Sequence, residues 1–122
     1  MRKIVAFLAL LAASGSAQST DCPTTELGLV GTWSRASDSG FFEEFSLESA
    51  AGSRTFNSWL GQRPEISDAT WSLKGCQLVV TPQHGQFGPF RFKVIGLKHG
   101  KLRLYDVLDH IESIYLRSSN EP

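Results

Sequence analysis

The start of the first strand-like segment and the end of the last one most constrain how this chain can fold. Gly31-Thr32-Trp33 opens the first segment, and Arg117 ends the last. A closed antiparallel barrel brings its first and last strands side by side. An arginine there can lie flat on an indole ring and donate hydrogen bonds to backbone carbonyls. We therefore predict that Trp33 and Arg117 have structural roles and close one end of a barrel.

Side-chain alternation predicts antiparallel strands between these two ends. Phe90, Phe92 and Val94 share one face of a segment whose other face carries Arg91 and Lys93. One apolar and one polar face is typical of antiparallel sheets with a single buried side. We predict strands at 30–35, 41–48, 54–60, 69–74, 77–81, 90–97, 101–107 and 111–117. The expected fold is an all-β meander barrel of about eight antiparallel strands with a short N-terminal strap, and the alternative is a sandwich.

Residues 1–17 have the pattern of a secretory signal peptide. Two basic residues precede an apolar run over 4–13 that is too short to cross a bilayer, and small residues lead to Ala17. We predict cleavage after Ala17, which leaves 18–122 as a single domain in the periplasm or outside the cell. The alternative is an N-terminal membrane anchor.

The two cysteines are expected to form a disulfide. Cys22 and Cys76 are the only cysteines in the chain, and lone pairs of cysteines in exported proteins usually join. The alternative is a free reactive thiol or a metal ligand.

The overall charge argues against nucleic acid as a partner. The chain has 12 basic and 12 acidic residues, and removal of the signal peptide leaves a slight acidic excess. Nucleic-acid-binding domains usually carry a clear basic excess. We expect no stable membrane insertion after cleavage, because no further run reaches transmembrane length. The outward-facing edge residues are mixed in sign and contain no long apolar stretch, which favours a monomer.

The sequence contains no pattern that indicates catalysis, so we expect a protein that is not an enzyme and that holds no cofactor or metal. His84, His99 and His110 lie in loops or turns, and none has a helical i, i+4 partner for a metal. The strand serines do not lie at a strained strand–helix elbow, which a serine hydrolase needs.

The chain resembles the lipocalin-like, or calycin, barrels in the short form found as exported bacterial proteins. The resemblance is carried by Leu27-Gly28-Leu29-Val30-Gly31-Thr32-Trp33, by Trp71-Ser72-Leu73 followed by Gln77-Leu78-Val79-Val80, and by Tyr115-Leu116-Arg117. It implies structural roles for Trp33 and Arg117, and a binding module for a small apolar molecule inside the barrel.

The strand pattern defines the expected interior. The predicted inward residues are Trp33, Phe45, Leu47, Phe56, Trp71, Leu73, Leu78, Val80, Phe90, Phe92, Val94, Leu102, Leu104 and Tyr115. An eight-stranded barrel is either filled by such side chains or holds one small ligand. If a pocket is open, Phe45, Phe56, Trp71, Phe92 and Tyr115 are the candidate ligand-binding residues.

The second functional hypothesis is a protein-interaction module, such as an inhibitor of an envelope or secreted enzyme. The connection 82–89 is long and uncharged, and His84 and Phe87 are its candidate contact residues. The segment 61–64, in a predicted link over 61–68 that contains Pro64, is another candidate.

Overall fold

The protein forms a closed eight-stranded antiparallel barrel, which confirms the predicted fold class. The computed structural model describes residues 22–83 and 88–118. The elements are α1 (Glu26–Leu29), β1 (Gly31–Arg35), β2 (Glu44–Ala50), β3 (Ser53–Leu60), β4 (Arg63–Lys74), β5 (Gln77–Thr81), β6 (Phe90–Lys98), β7 (Lys101–Asp106) and β8 (Ile111–Arg117). Each strand pairs with the next one along the chain. The barrel closes where Trp33 of β1 lies opposite Arg117 of β8.

The meander places the connections alternately at the two ends of the barrel. One end, here called the base, carries α1 and the turns at 51–52, 75–76 and 99–100. The other end, the mouth, carries the connections 36–43, 61–62, 82–89 and 107–110. No helix of the described residues is long and apolar enough to cross a membrane. The predicted signal peptide, 1–17, lies outside the described residues.

The base is sealed by Trp33 and Arg117. The Trp33 indole is fully buried and donates to the Leu29 carbonyl oxygen over 2.9 Å. The Arg117 guanidinium carbon lies 4.3 Å from the Trp33 ring centroid. Its Nη1 and Nη2 donate to the carbonyl oxygens of Val30, at 2.7 Å, and Gly28, at 2.9 Å. Arg117 therefore satisfies carbonyls at the end of α1 that no helical partner reaches.

The N-terminal strap is covalently tied to the base. Cys22 and Cys76 form the predicted disulfide, with their Cα atoms 5.1 Å apart. Cys76 lies in the β4–β5 turn, where its positive φ of 65° follows Gly75. The bond therefore holds the segment before α1 against the opposite wall of the barrel.

The predicted link over 61–68 is wrong, because most of it belongs to a strand. β4 begins at Arg63 and runs for 12 residues, so only a two-residue turn joins it to β3. Pro64 lies opposite Trp59, beside irregular pairing between Phe56 and Trp59. Proline lacks a backbone N–H and is tolerated in a sheet next to such bulges. The segment 61–64 is consequently a tight turn and strand start, which removes it as a projecting loop.

Candidate binding site at the mouth

The interior of the barrel is filled by side chains. The predicted inward residues all pack in the core, although Leu73 and Phe90 are only partly buried. The core also contains Leu29, Phe42 and Ala69, which the strand pattern did not predict. Phe42 is the important addition, because it comes from a loop and not from a strand.

Phe42 is inserted from the mouth into the centre of the candidate ligand site. The predicted strand 41–48 is too long at its start, since β2 begins at Glu44 and leaves Phe42 in the β1–β2 connection. The Phe42 ring centroid lies 5.0 Å from that of Phe56, 5.5 Å from Phe92 and 5.9 Å from Phe45. Three of the residues predicted to bind a ligand thus surround a side chain of the protein itself.

Tyr115, a fourth predicted ligand residue, holds Phe42 in place. Its hydroxyl donates to the Phe42 carbonyl oxygen over 2.7 Å and accepts from the Phe42 N–H over 3.2 Å. Burial raises the pKa of the Tyr115 phenol above its usual value of 10.0, although the hydrogen bonds from Phe42 and Ser113 work in the opposite direction. The phenol is therefore uncharged at physiological pH, and in this form its hydroxyl donates to the Phe42 carbonyl.

The rest of the connection 36–43, here called the plug loop, is also fastened to the barrel. The Ala36 N–H donates to the Ile114 carbonyl over 2.7 Å, and the Ile114 N–H donates to Ser37 Oγ over 3.0 Å. The Arg35 guanidinium donates to the Gly40 carbonyl over 3.0 Å. These bonds on both sides of the turn make the plug loop part of the folded barrel.

An open cleft lies beside the plug loop on the outer side of the mouth. It has a volume of about 300 Å³, and we call it the mouth cleft. Its lining residues are Phe41, Pro89, Phe90, Arg91, Phe92, Asp106, Val107, Leu108 and Asp109. Most of this lining is apolar, and Arg91, Asp106 and Asp109 are its charged residues.

The apolar walls of the mouth cleft are unusually accessible. Leu108 is 84% exposed and Phe41 is 43% exposed, and Val107 is also exposed. The Phe41 ring lies 4.9 Å from that of Phe90 and 6.2 Å from that of Phe92, measured between centroids. Phe41 therefore extends the aromatic core out to the surface, where a ligand can reach it.

Asp106 shapes the turn that carries Leu108. Its Oδ1 accepts from the N–H groups of Leu108, at 3.0 Å, and Asp109, at 3.2 Å. Its carbonyl oxygen accepts from the His110 N–H over 2.8 Å. A carboxylate engaged in this way stabilises a turn, as short acidic side chains commonly do. We assign Asp106 a structural role at the edge of the cleft.

The remaining predicted site residues are Trp71, His84 and Phe87. Trp71 is buried in the core, and its indole N–H donates to the Glu48 carbonyl over 3.0 Å. His84 and Phe87 lie outside the described residues. Among the residues that are described, no group of three or more histidine, cysteine or acidic side chains is placed to hold a metal ion.

Sequence reasoning missed the mouth cleft because its walls combine parts of three connections with the start of β6 and the end of β7. The Phe41-Phe42 pair was the available signal, since two adjacent aromatic rings cannot both face inward from one regular strand. Leu108, an apolar residue within a polar turn, was the second signal.

The closed eight-stranded antiparallel meander is consistent with a calycin-like fold. No protein-family model, curated protein or solved structure matches this chain.

Proposed function

We propose that this protein is a non-enzymatic, exported, lipocalin-like binding module that holds a small apolar ligand in the mouth cleft. The observation that carries the proposal is an apolar cleft of about 300 Å³ with exposed Phe41 and Leu108 at its edge. Ligand sites are typically concave, largely apolar and supplied with a few polar groups.

Because the interior is filled, the mouth cleft is a better candidate for the binding site than the centre of the barrel. A ligand among Phe45, Phe56 and Tyr115 would have to displace Phe42 and break both of its hydrogen bonds to the Tyr115 hydroxyl. The mouth cleft is open without any such rearrangement. Its volume suits a molecule the size of a short acyl chain or a two- or three-ring aromatic.

The proposed location is the periplasm or the extracellular space. The Cys22–Cys76 disulfide fits an oxidising compartment. The signal-like segment 1–17 points in the same direction.

Fluorescence titration with 1-aminoanthracene, a small neutral apolar probe, tests the proposal. We expect saturable binding at one probe per chain, weakened at least fivefold by Leu108→Ser. Leu60→Ser is the matched control, because Leu60 is an exposed leucine on the mouth side that does not line the cleft. A lack of saturable binding, or an equal loss in both variants, would reject the mouth cleft as the site.

A protein-interaction module, such as an inhibitor of an envelope or secreted enzyme, is the second candidate. It is favoured by the exposed apolar side chains of Phe41, Val107 and Leu108 at one cleft, since contiguous exposed apolar surface often marks a protein interaction site. In a pulldown from envelope extract, a bound protein should be lost with Leu108→Asp and kept with Leu60→Asp. If the unaltered protein recovers no bound protein in this pulldown, the result would count against this candidate.

A further inference from the structure

Positive and negative residues occupy different parts of the chain. Residues 69–105 contain six lysines and arginines and no acidic residue, whereas 26–68 contain seven acidic residues and three arginines. The balanced overall charge hides this separation, because the two segments nearly cancel. Since the barrel is a meander, the two segments also form different parts of its wall, which meet within β4.

The basic segment builds one outward surface of the barrel. Its six cations are all exposed, and we call them together the basic face: Lys74, Arg91, Lys93, Lys98, Lys101 and Arg103. Lys98 lies directly opposite Lys101 across β6 and β7. Lys74 and Lys93 lie opposite Gln77 from its two sides, so the cations continue across three strands.

Most of the positive charge on this face has no acidic partner in the part of the chain that the structure describes. Among the described residues, Arg103 is the one member of the face that forms an ion pair, with Glu112 at 2.6 Å. Like charges directly opposite each other, as at Lys98 and Lys101, disfavour the fold. A bound anion would relieve this repulsion.

A groove with cationic walls lies at the base end of the same face. It has a volume of about 370 Å³ and is lined by Pro23, Gly96, Leu97, Lys98, Lys101 and Arg103. Pro23 and Leu97 provide apolar contacts beneath the charges. The groove therefore combines positive charge with hydrocarbon surface.

Exposed leucines flank this groove. Leu116 of β8 is exposed and lies directly opposite Lys101. Leu27 in α1 is 81% exposed, and the neighbouring Gly28 packs towards the Leu97 side chain. Cations mixed with exposed leucines are typical of surfaces that rest at the headgroup level of a membrane.

We propose that the basic face docks this protein reversibly onto an anionic phospholipid membrane, with a lipid phosphate in the groove between Lys98 and Lys101. The lysines act as point charges, which suits a diffuse anionic surface more than base-by-base recognition. Leu27 and Leu116 favour a lipid surface over a water-soluble polyanion. The acidic wall formed by 31–68, which excludes α1, then faces away from the membrane.

Cosedimentation with lipid vesicles tests this proposal. The protein should bind vesicles containing one-third phosphatidylglycerol and leave pure phosphatidylcholine vesicles unbound. Each basic residue near such a surface contributes about a fivefold gain in partition. Lys101→Glu should therefore weaken binding at least tenfold. Added salt should also weaken it, because the charges are exposed.

Arg63→Glu is the matched control, since it makes the same charge change at an exposed position on β4, outside the basic face. We expect it to change vesicle binding less than threefold, and circular dichroism should show both variants folded. Equal weakening by the two variants would overturn the proposal. Binding to duplex DNA or heparin without binding to the anionic vesicles would overturn it as well.

Discussion

At the scale of single residues, Phe42 and Tyr115 decide what the barrel can hold. Phe42 occupies the space among Phe45, Phe56 and Phe92 in which a ligand would lie. The Tyr115 hydroxyl satisfies both backbone polar groups of Phe42. Because these groups are buried, they would carry a desolvation cost without that partner. The filled interior thus depends on one phenol.

Tyr115→Phe should lower the free energy of unfolding by about 1–3 kcal/mol, because it leaves the Phe42 N–H and carbonyl without their partner. Urea denaturation measures the change. Tyr105→Phe is the control, since the Tyr105 hydroxyl contacts His110 at an exposed site, 2.8 Å from Nδ1. We expect the control to stay within about 0.5 kcal/mol of the unaltered protein. An equal loss of unfolding free energy in the two variants would show that the Tyr115–Phe42 hydrogen bonds contribute no more to stability than an exposed contact does.

The raised pKa of Tyr115 predicts a loss of stability in alkali. Well below pH 10 the phenol is protonated in both the folded and the unfolded chain, so Tyr115 adds no pH dependence to the free energy of unfolding there. Above that pH the unfolded chain releases the proton while the folded protein retains it, and the free energy of unfolding falls. Urea denaturation at several alkaline pH values should give a shallower decline for Tyr115→Phe. An identical decline in the variant would contradict this assignment.

At the scale of elements, the regular strands were predictable and the departures from regularity were not. Alternation along β6 and β7 identified both strands, because a half-buried antiparallel strand repeats every two residues. The start of β4 was missed, since Pro64 reads as a loop signal until a bulge provides a place for it. Phe42 was missed for a related reason: its loop folds inward, and the adjacent Phe41-Phe42 pair was the one local signal of that departure.

Arg117→Lys tests how the first and last elements are joined. The guanidinium donates to two carbonyls near the end of α1 and covers Trp33, and a single ammonium cannot reproduce that geometry. We expect a loss of about 1–3 kcal/mol in thermal or urea unfolding. Arg103→Lys is the control, because Arg103 forms an exposed ion pair with Glu112. It should change the free energy of unfolding by less than about 1 kcal/mol. A loss in the control as large as that in Arg117→Lys would remove the special role of Arg117.

At the scale of the whole molecule, the barrel separates two surfaces with different chemistry. The mouth carries an apolar cleft with Phe41 and Leu108 exposed. The groove between Lys98 and Lys101 lies at the base end. In the proposed docking the phosphate-binding groove and the mouth cleft therefore lie at opposite ends of the barrel. Composition alone could not predict this arrangement, because the near-zero net charge conceals which strands carry each sign.

The central claim is that ligands meet this protein at the mouth and not inside the barrel. The most direct measurement is an NMR titration of the protein with 1-aminoanthracene, following backbone amide and leucine methyl signals. We predict shifts at Phe41, Val107 and Leu108, with the buried methyls of Leu47 and Leu102 unchanged. Large shifts at Leu47 and Leu102, with intermolecular contacts from the probe to either methyl, would show that a ligand displaces Phe42, and would contradict the account.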